Sequence, residues 1–248
     1  MDSKQRPVAL IAALDVEARG VARQLAGATI STPHLAIWEG TLENTPVVLV
    51  VSGVGKVAAS LATQFLCDVY RPRFAITFGL AGATEGDSQR GRLIIASGAV
   101  QHDMDARPLT DTRGVIPSFG KAIFSADQKL SRSLRHAAEL AVGDPVTVTS
   151  GLVLTGDQIV TSRAVRDALL RDFPEGVCFD METAAIAQVA HQNSLPWCGL
   201  RMTSDAADET FNIDEVVSFG INTAADLFDQ IITAFLTEPP VLDKPERP

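Results

Sequence analysis

The sequence has few of the features that would tie the chain to a membrane or to an oxidising compartment. It contains no stretch of about eighteen apolar residues, and the apolar run over residues 8–14 is too short to span a bilayer. Only three cysteines are present, an odd number spaced far apart in apolar segments, which argues against a disulfide framework. We therefore expect a soluble, cytoplasmic protein that does not bind a membrane.

Basic residues are also scarce. The 21 Lys and Arg residues face 30 Asp and Glu residues, which gives a formal net charge of −9 and a pI near 4.9. Proteins that bind phosphate backbones usually carry a basic face, so we expect no nucleic acid partner. The four histidines are scattered and form no zinc pattern with the cysteines. The run His102–Asp103–Met104–Asp105 has no partner cluster, so we expect no metal and no cofactor.

The interior of the chain has no linker rich in Gly, Ser or Pro, and it has no internal repeat. With 248 residues, 46% hydrophobic and 21% charged, the chain has the composition of a globular protein and can form one large core. We expect one domain over residues 1–236 and a flexible tail over residues 237–248, which contain four prolines.

Short apolar runs alternate with longer amphipathic stretches along the chain, which predicts alternating strands and helices. The predicted strands are residues 8–14, 35–39, 46–51, 74–78, 93–100, 146–154, 177–180 and 197–202, and the predicted helices are residues 16–25, 55–70, 129–142, 161–172, 182–192 and 213–236. In the second helix, Val57, Leu61, Phe65 and Leu66 share one apolar side. Uniformly apolar strands are typical of sheets covered on both faces. The predicted fold is a single-domain α/β three-layer sandwich, with a mixed, mostly parallel twisted sheet and helices on both faces.

Carboxylates follow three of the predicted strands at the point where each strand ends. Glu17 comes shortly after the first strand, Glu182 after a later one, and Asp205 after the last. Ligands bind at the carboxyl ends of strands in such sheets, so these side chains are expected to converge on one cleft. Each carboxylate also has a purely structural interpretation, as a residue that stabilises a helix N-terminus. The glycine turn over residues 79–82 also has a purely structural interpretation, since glycine is the default residue in tight turns.

Seven segments, in order, carry a resemblance to a known family: IAALDVEA, SGVGKVAASL, TFGLAGA, QHDMD, TGDQIV, FDMETAAIAQVA and RMTSDAAD. On these segments the chain resembles the bacterial 5′-methylthioadenosine/S-adenosylhomocysteine nucleosidases, within the purine nucleoside phosphorylase superfamily. The resemblance covers nearly everything from residue 8 to about residue 236. It implies a nucleoside phosphorylase-like fold, a homodimer, and hydrolysis of the N-glycosidic bond of a small-molecule adenosine-type nucleoside.

The resemblance also implies roles for the residues that match the family's motifs. Glu17 matches the carboxylate that activates the attacking water, and Arg201 matches the arginine that helps to hold this water and Glu182. Asp205 matches the acid that protonates N7 of the leaving adenine, with Ser204 as its supporting neighbour. The remaining matches bind the substrate: Met181 and Glu182 at the ribose, Ile159 and Val160 at the base, Val54 near the 5′ side of the sugar, and Gly82 in the glycine turn.

These residue types suit the reaction. A purine anion is a poor leaving group, and protonation of N7 by an acid whose pKa is raised by burial removes this difficulty. A carboxylate at the ribose stabilises the positive charge that develops at the anomeric carbon, and a second carboxylate takes a proton from water.

Three departures from the family pattern bear on the substrate. Leu80 stands where the family commonly has a serine that binds water or phosphate, residues 158–160 lack the usual base-stacking aromatic, and the polar stretch that begins at Asp105 lacks the aromatics found around a 5′-alkylthio group. Two other functions stay open, a purine nucleoside phosphorylase that uses phosphate and a non-catalytic nucleoside-binding protein of the same fold. Leu80 and the charge of Glu17 disfavour phosphate, and retention of all three carboxylates disfavours a binding protein.

Overall fold

The computed structural model describes residues 6–25, 29–31, 35–85, 90–142 and 147–242. The strands are β1 (Val8–Ala12), β2 (Thr29–Ser31), β3 (Ala36–Leu42), β4 (Thr45–Val51), β5 (Ala75–Ala83), β6 (Leu93–Gln101), β7 (Ile123–Ser125), β8 (Val148–Thr155), β9 (Gly176–Asp180) and β10 (Trp197–Asp205). The helices are α1 (Asp15–Gln24), α2 (Lys56–Val69), α3 (Gln128–Ala141), α4 (Arg163–Asp172), α5 (Thr183–Gln192), α6 (Ile213–Phe219) and α7 (Ala225–Thr237). A π-helical turn, Gly220–Ala224, joins α6 to α7. Among the described residues, no helix combines the length and apolar character needed to cross a bilayer.

All ten described strands belong to one mixed sheet, as the sequence predicts. Five of its pairings are parallel and five are antiparallel. Part of the sheet closes on itself, because β5, β10, β6, β8 and β9 each pair with the next and β9 returns to β5. The strands β1, β4, β3 and β2 extend the sheet outward from β5. The alternation in the sequence predicts the mixed sheet but not this closed ring.

The strand β5 changes its neighbour along its length. Its first half pairs with β1, from Ala75 to Thr77, and its end pairs with β9, from Gly82 to Ala83. Since β9 runs antiparallel to β5, its carboxyl end points back toward the carboxyl end of β1. The two strand ends therefore face each other across the middle of β5, and a cleft opens between them.

Alternate side chains of each strand are buried on opposite faces, which builds a core on each side of the sheet. In β1, Val8 and Leu10 pack into the core under α1, α3 and α7, while Ala9 and Ile11 pack into the core under α2 and α5. A third, smaller core lies under α4 and contains Leu169. Helices thus cover both faces, as predicted.

The buried side of α2 differs from the one that the large apolar residues suggest. Ala59, Ala62, Thr63 and Leu66 are buried at helical spacing, whereas Val57 and Leu61 are 71% and 64% exposed. The helix packs closely against the alanine-rich α5, so small side chains face inward. Large side chains dominate a sequence pattern, but here the close approach of two helices decides which side is buried.

Other differences are local. The short strands β2 and β7 are absent from the sequence prediction, and the helix predicted over residues 213–236 is divided into α6, the π-helical turn and α7. Residue 146 of a predicted strand and residues 243–248 of the predicted tail lie outside the described residues.

The contact between α1 and α7 yields a testable prediction. A Cβ on Gly20 of α1 would lie 2.6 Å from the carbonyl oxygen of Ala225 and 2.7 Å from Cβ of Asp229, both on α7. We expect Gly20→Ala to lower the free energy of unfolding by about 1–3 kcal/mol, because overpacking outweighs the better helix propensity of alanine. Urea unfolding measures this change.

The matched control is Arg23→Ala, on the exposed side of the same helix, which should stay within about 0.5 kcal/mol of the wild type. A Gly20→Ala protein as stable as the wild type would show that the two helices can separate at no cost.

Candidate active site

A pocket of about 220 Å3 lies where β5 changes its neighbour from β1 to β9. Such a switch point is where open α/β sheets bind ligands. The described residues that line it include four carboxylates and no lysine, arginine or histidine. They are Ala13, Leu14, Glu17, Val54, Leu80, Ala81, Gly82, Gln158, Ile159, Val160, Phe179, Asp180, Met181, Glu182, Ser204, Asp205, Phe211, Ile213 and Val216. The pocket therefore brings together every predicted site residue except Arg201.

Glu17 lies in the first turn of α1 and reaches back toward the end of β1. Its Oε2 accepts hydrogen bonds from the amides of Ala13 (3.1 Å) and Leu14 (2.9 Å), and its Oε1 accepts one from the amide of Leu80 (2.7 Å). A Cβ on Gly79 would lie 2.6 Å from Oε1, so a glycine is needed for the carboxylate to approach β5 this closely. An ionised carboxylate has about four lone-pair sites, and three are filled by amides, which leaves one for a further donor.

Glu182 is buried at the end of β9, directly before α5. Its Oε1 accepts a hydrogen bond of 2.8 Å from the amide of Gly55, the residue before α2. Burial, and then the charge of Asp180, raise the pKa of Glu182 to about 8, and the Gly55 amide and the charge of Arg201 oppose this shift.

Asp180, which lines the pocket, forms a buried ion pair with Arg201, which lies behind the lining. Arg201 Nε donates to Asp180 Oδ2 at 2.9 Å, and the two side chains are 3% and 1% exposed. Asp180 also accepts hydrogen bonds from the hydroxyl of Thr155 and from the amide and hydroxyl of Thr183. Arg201 Nη2 donates to the hydroxyl of Thr77 at 3.0 Å. Each end of the pair is thus fixed by hydroxyl groups.

Arg201 makes no direct hydrogen bond to Glu182, the residue that the resemblance expects it to help hold. Its hydrogen bonds among the described residues go to Asp180, Thr77 and the carbonyl of Leu200, and none goes to Glu182. Burial alone would lower the pKa of Arg201, but the charges of Asp180, Glu182 and Glu17 raise it. Arg201 therefore acts on the pocket through its charge and through Asp180.

The role of Asp180 is the part of the site that the sequence analysis misses. The segment FDME places this carboxylate at a strand end, two residues before Glu182, which is the only signal that marks it. A carboxylate buried beside a second one needs a cation nearby. That cation comes from β10, which pairs with β5 as β9 does, and the sequence alone does not give this arrangement.

Asp205 is the last residue of β10 and lies at another part of the pocket. Its Oδ2 accepts a hydrogen bond from the hydroxyl of Ser204 at 2.8 Å, and its Oδ1 accepts one from the amide of Ala207 at 2.9 Å. Burial raises the pKa of Asp205, while these two hydrogen bonds oppose the shift. A Cβ on Gly82 would lie 3.2 Å from Oδ1, so a side chain at this position of β5 would crowd the carboxylate.

The remaining walls are apolar. Val54 and Ile159 are 50% and 51% exposed at the mouth of the pocket, and Phe211 and Ile213 also line it. Val160 is buried and packs into the core under α4. No described group of three or more His, Cys, Asp or Glu side chains is arranged to hold a metal ion.

The raised pKa of Glu182 predicts how stability depends on pH. The ordinary value is 4.5 and the folded value is about 8, so between these pH values the folded state binds more protons than the unfolded state. The free energy of unfolding should therefore fall as the pH rises from 5 to 8, by at most about 1.4 kcal/mol per pH unit for this group. We expect Glu182→Gln to flatten this decrease in urea unfolding experiments at several pH values.

Glu139→Gln is the control, since Glu139 is exposed on α3, where it pairs with Arg135, and it should leave the slope unchanged. Equal slopes for the wild type and Glu182→Gln would show that Glu182 ionises normally in the folded protein.

The sequence and the fold were compared with known proteins. The sequence profile of the Phosphorylase superfamily matches residues 7–237. A 5′-methylthioadenosine/S-adenosylhomocysteine nucleosidase of Anoxybacillus flavithermus is 32% identical over 207 residues, which cover 83% of this chain and 88% of that protein.

Two solved structures show the same fold at full length. The S-adenosylhomocysteine nucleosidase of Streptococcus pyogenes, in complex with 5-methylthiotubericidin, has a TM-score of 0.86 at 26% identity, over 95% of this chain and 98% of the other. The 5′-methylthioadenosine/S-adenosylhomocysteine nucleosidase of Neisseria meningitidis, in complex with methylthio-immucillin-A, has a TM-score of 0.84 at 28% identity, over 94% and 99%. The profile match and the 32% identity to the Anoxybacillus protein show that the chain belongs to the 5′-methylthioadenosine/S-adenosylhomocysteine nucleosidase family of the phosphorylase superfamily.

Proposed function

We propose that this protein hydrolyses the N-glycosidic bond of an adenosine-type nucleoside, of the methylthioadenosine or S-adenosylhomocysteine kind, and releases adenine. The observation that carries the proposal is a single pocket with four carboxylates in its lining, of which three, Glu17, Glu182 and Asp205, have pKa values raised by burial. Their hydrogen-bond partners differ, so the three groups suit three different tasks.

Asp205 is the general acid of the proposed reaction. A raised pKa keeps a larger fraction of the carboxyl group protonated near neutral pH, and a protonated carboxyl can donate to N7 of the purine. The hydroxyl of Ser204 and the amide of Ala207 fix the orientation of the carboxyl group. Protonation of N7 turns the purine into a neutral leaving group.

Glu17 is the base that takes a proton from the attacking water. Three backbone amides hold its carboxylate in place, and its remaining lone-pair site can accept a hydrogen bond from water. The amides of Ala13, Leu14 and Leu80 also favour the charged form of the group, which a base requires.

Glu182 binds the ribose hydroxyls, and in its ionised form it stabilises the positive charge that develops on the sugar. One carboxylate oxygen is held by the Gly55 amide, and the other has no hydrogen bond among the described residues. Met181 lies beside it in the lining and contributes an apolar surface to the sugar site.

Phosphate is disfavoured as the nucleophile by the charge of the lining. Four carboxylates and no cationic side chain are among its described residues, and Leu80 contributes an apolar side chain at the glycine turn. A phosphate dianion in such a pocket would be repelled. Water carries no charge and is compatible with the same groups.

The apolar wall made by Val54, Phe211 and Ile213 suits the 5′ substituent. The polar residues 105–119 do not line the pocket of their own chain, and Arg107 instead pairs with Asp105. The chain's own pocket thus offers apolar contacts to a 5′-alkylthio group.

The assignment of Asp205 predicts a large loss of turnover in Asp205→Asn. An amide cannot donate a proton to N7, so kcat should fall about 100-fold or more, which is the size of effect expected for loss of a general acid. Adenine release from methylthioadenosine, adenosine and S-adenosylhomocysteine is measured in buffer with and without phosphate.

Asp127→Asn is the matched control, because the carboxylate of Asp127 also accepts backbone amides but lies outside the pocket. It should keep kcat near that of the wild type. Normal kcat in Asp205→Asn would contradict the assignment of the acid. A rate that scales with phosphate, with formation of a sugar 1-phosphate, would contradict hydrolysis.

We also propose a homodimer formed through the outer face of α2. Val57 and Leu61 lie one turn apart on α2 and are 71% and 64% exposed, and Val54, two residues before the helix, is 50% exposed. Such exposure is unusual for three neighbouring apolar side chains. Val54 also lines the pocket, so a partner on this face would border the 5′ side. The exposed Leu109, on the segment over residues 107–119, is suited to such a contact.

Dimer formation is tested by the double variant Val57→Glu/Leu61→Glu. Two carboxylates on this face should oppose burial against a second copy, so the protein should sediment as a monomer at micromolar concentration. The control is Leu140→Glu on α3, where a leucine of equal exposure, 71%, lies away from α2. A wild type that is monomeric and fully active would contradict the dimer.

A cytoplasmic location is proposed as well. The three cysteines are free, and Cys178 and Cys198 are buried, which suits a reducing compartment. Recovery of the protein outside the cytoplasmic fraction of cells would contradict this.

A further inference from the structure

The backbone amide of Gly55 donates a hydrogen bond to Glu182, and Gly55 has a backbone conformation that favours glycine. Its φ is 98°, in the left-handed region, and its N–H donates to Glu182 Oε1 at 2.8 Å. Gly55 has no side chain with which to cap α2, although it is the residue that precedes the helix. The orientation of this amide must therefore be fixed by other residues.

Asp157 supplies the missing cap from a different part of the chain. This residue follows β8, and its Oδ1 accepts the amide N–H of Lys56, the first residue of α2, at 2.8 Å. A Cβ on Gly55 would lie 3.1 Å from the same oxygen, so the carboxylate also packs against the Gly55 backbone. Asp157 does not line the pocket.

Asp103, in the HDMD segment after β6, connects Lys56 at the start of α2 to Asp157 after β8. Its Oδ1 accepts from Lys56 Nζ at 2.7 Å, and its Oδ2 accepts from the amide of Asp157 at 3.0 Å. Lys56 Nζ also donates to Gln101 at 3.1 Å, and Gln101 donates to Gln188 on α5 at 2.6 Å. We name Lys56, Asp103 and Asp157 the α2 clamp.

We propose that Asp103 and Asp157 are positioning residues, which hold the start of α2 so that the Gly55 amide stays bonded to Glu182. This inference rests on the proposed function, in which Glu182 binds the ribose. Without the clamp the first turn of α2 is free to shift, and a displacement of about 1 Å at a group that orients substrate can cost on the order of 100-fold in rate.

Steady-state kinetics of adenine release tests the inference. We expect Asp157→Ala and Asp103→Ala each to lower kcat/KM by about 10-fold, because both act through Glu182. In a Glu182→Gln background the same substitutions should cause no further loss, since residues that act through one group are not additive. Asp157→Asn should restore most of the activity, because its amide oxygen can still accept the Lys56 N–H.

Asp127→Ala is the matched control. Asp127 caps α3 by the same chemistry, accepting the amides of Lys129 and Leu130 at 2.9 Å, but it lies outside the pocket. It should lower the melting temperature as Asp157→Ala does, while kcat/KM stays unchanged. Full additivity with Glu182→Gln, or an equal loss of kcat/KM in Asp127→Ala, would overturn the inference.

Amide hydrogen exchange at Gly55 gives a readout that does not depend on activity. Exchange should be faster in Asp157→Ala and Asp103→Ala than in the wild type, and unchanged in Asp127→Ala. Unchanged exchange in the clamp variants would overturn the inference even for an active enzyme. If the wild type released no adenine, the proposed function would fail, and faster exchange in the clamp variants would still support the positioning of Gly55.

Discussion

The buried ion pair between Arg201 and Asp180 holds together the strand ends that form the pocket. It joins β9 to β10, and the hydroxyls of Thr155 and Thr77 extend the connection to β8 and β5. Removing two charges from water costs several kcal/mol, and such a pair is tolerated when further hydrogen bonds satisfy its remaining donors and acceptors. Here threonine side chains provide them. Because these side chains are short, they also fix the four strands relative to one another.

The same ion pair sets the charge balance around the pocket. Arg201 opposes the effect of burial on Glu17 and Glu182, whereas the cation that acts on Asp205 is Arg90. Glu17 is held by three amides, and Asp205 by one amide and one hydroxyl. Carboxylates in one pocket thus have unequal environments, which is how a single site can supply both a base and an acid.

The sequence predicts the main elements and the convergence of the carboxylates, because both follow from short-range patterns. Apolar runs mark strands, and carboxylates at strand ends meet at one edge of a sheet. The family was also predictable, since its motifs are contiguous segments. Three features depend on which elements become neighbours, and local patterns do not contain that information. They are the return of β9 to β5, the pairing of Arg201 with Asp180, and the alanine-lined inner side of α2.

The helix α6 lies over the pocket without a buried residue of its own, and a π-helical turn separates it from α7. Its Ile213 and Val216 face the cavity, where Ile213 is still 55% exposed. Apolar area that remains in contact with water after folding contributes nothing to the stability of the empty protein. The same area becomes buried when a molecule fills the cavity. A molecule that fills the pocket therefore buries these side chains and stabilises α6 in its place over the cavity. Binding in the pocket and the stability of α6 are thus thermodynamically linked.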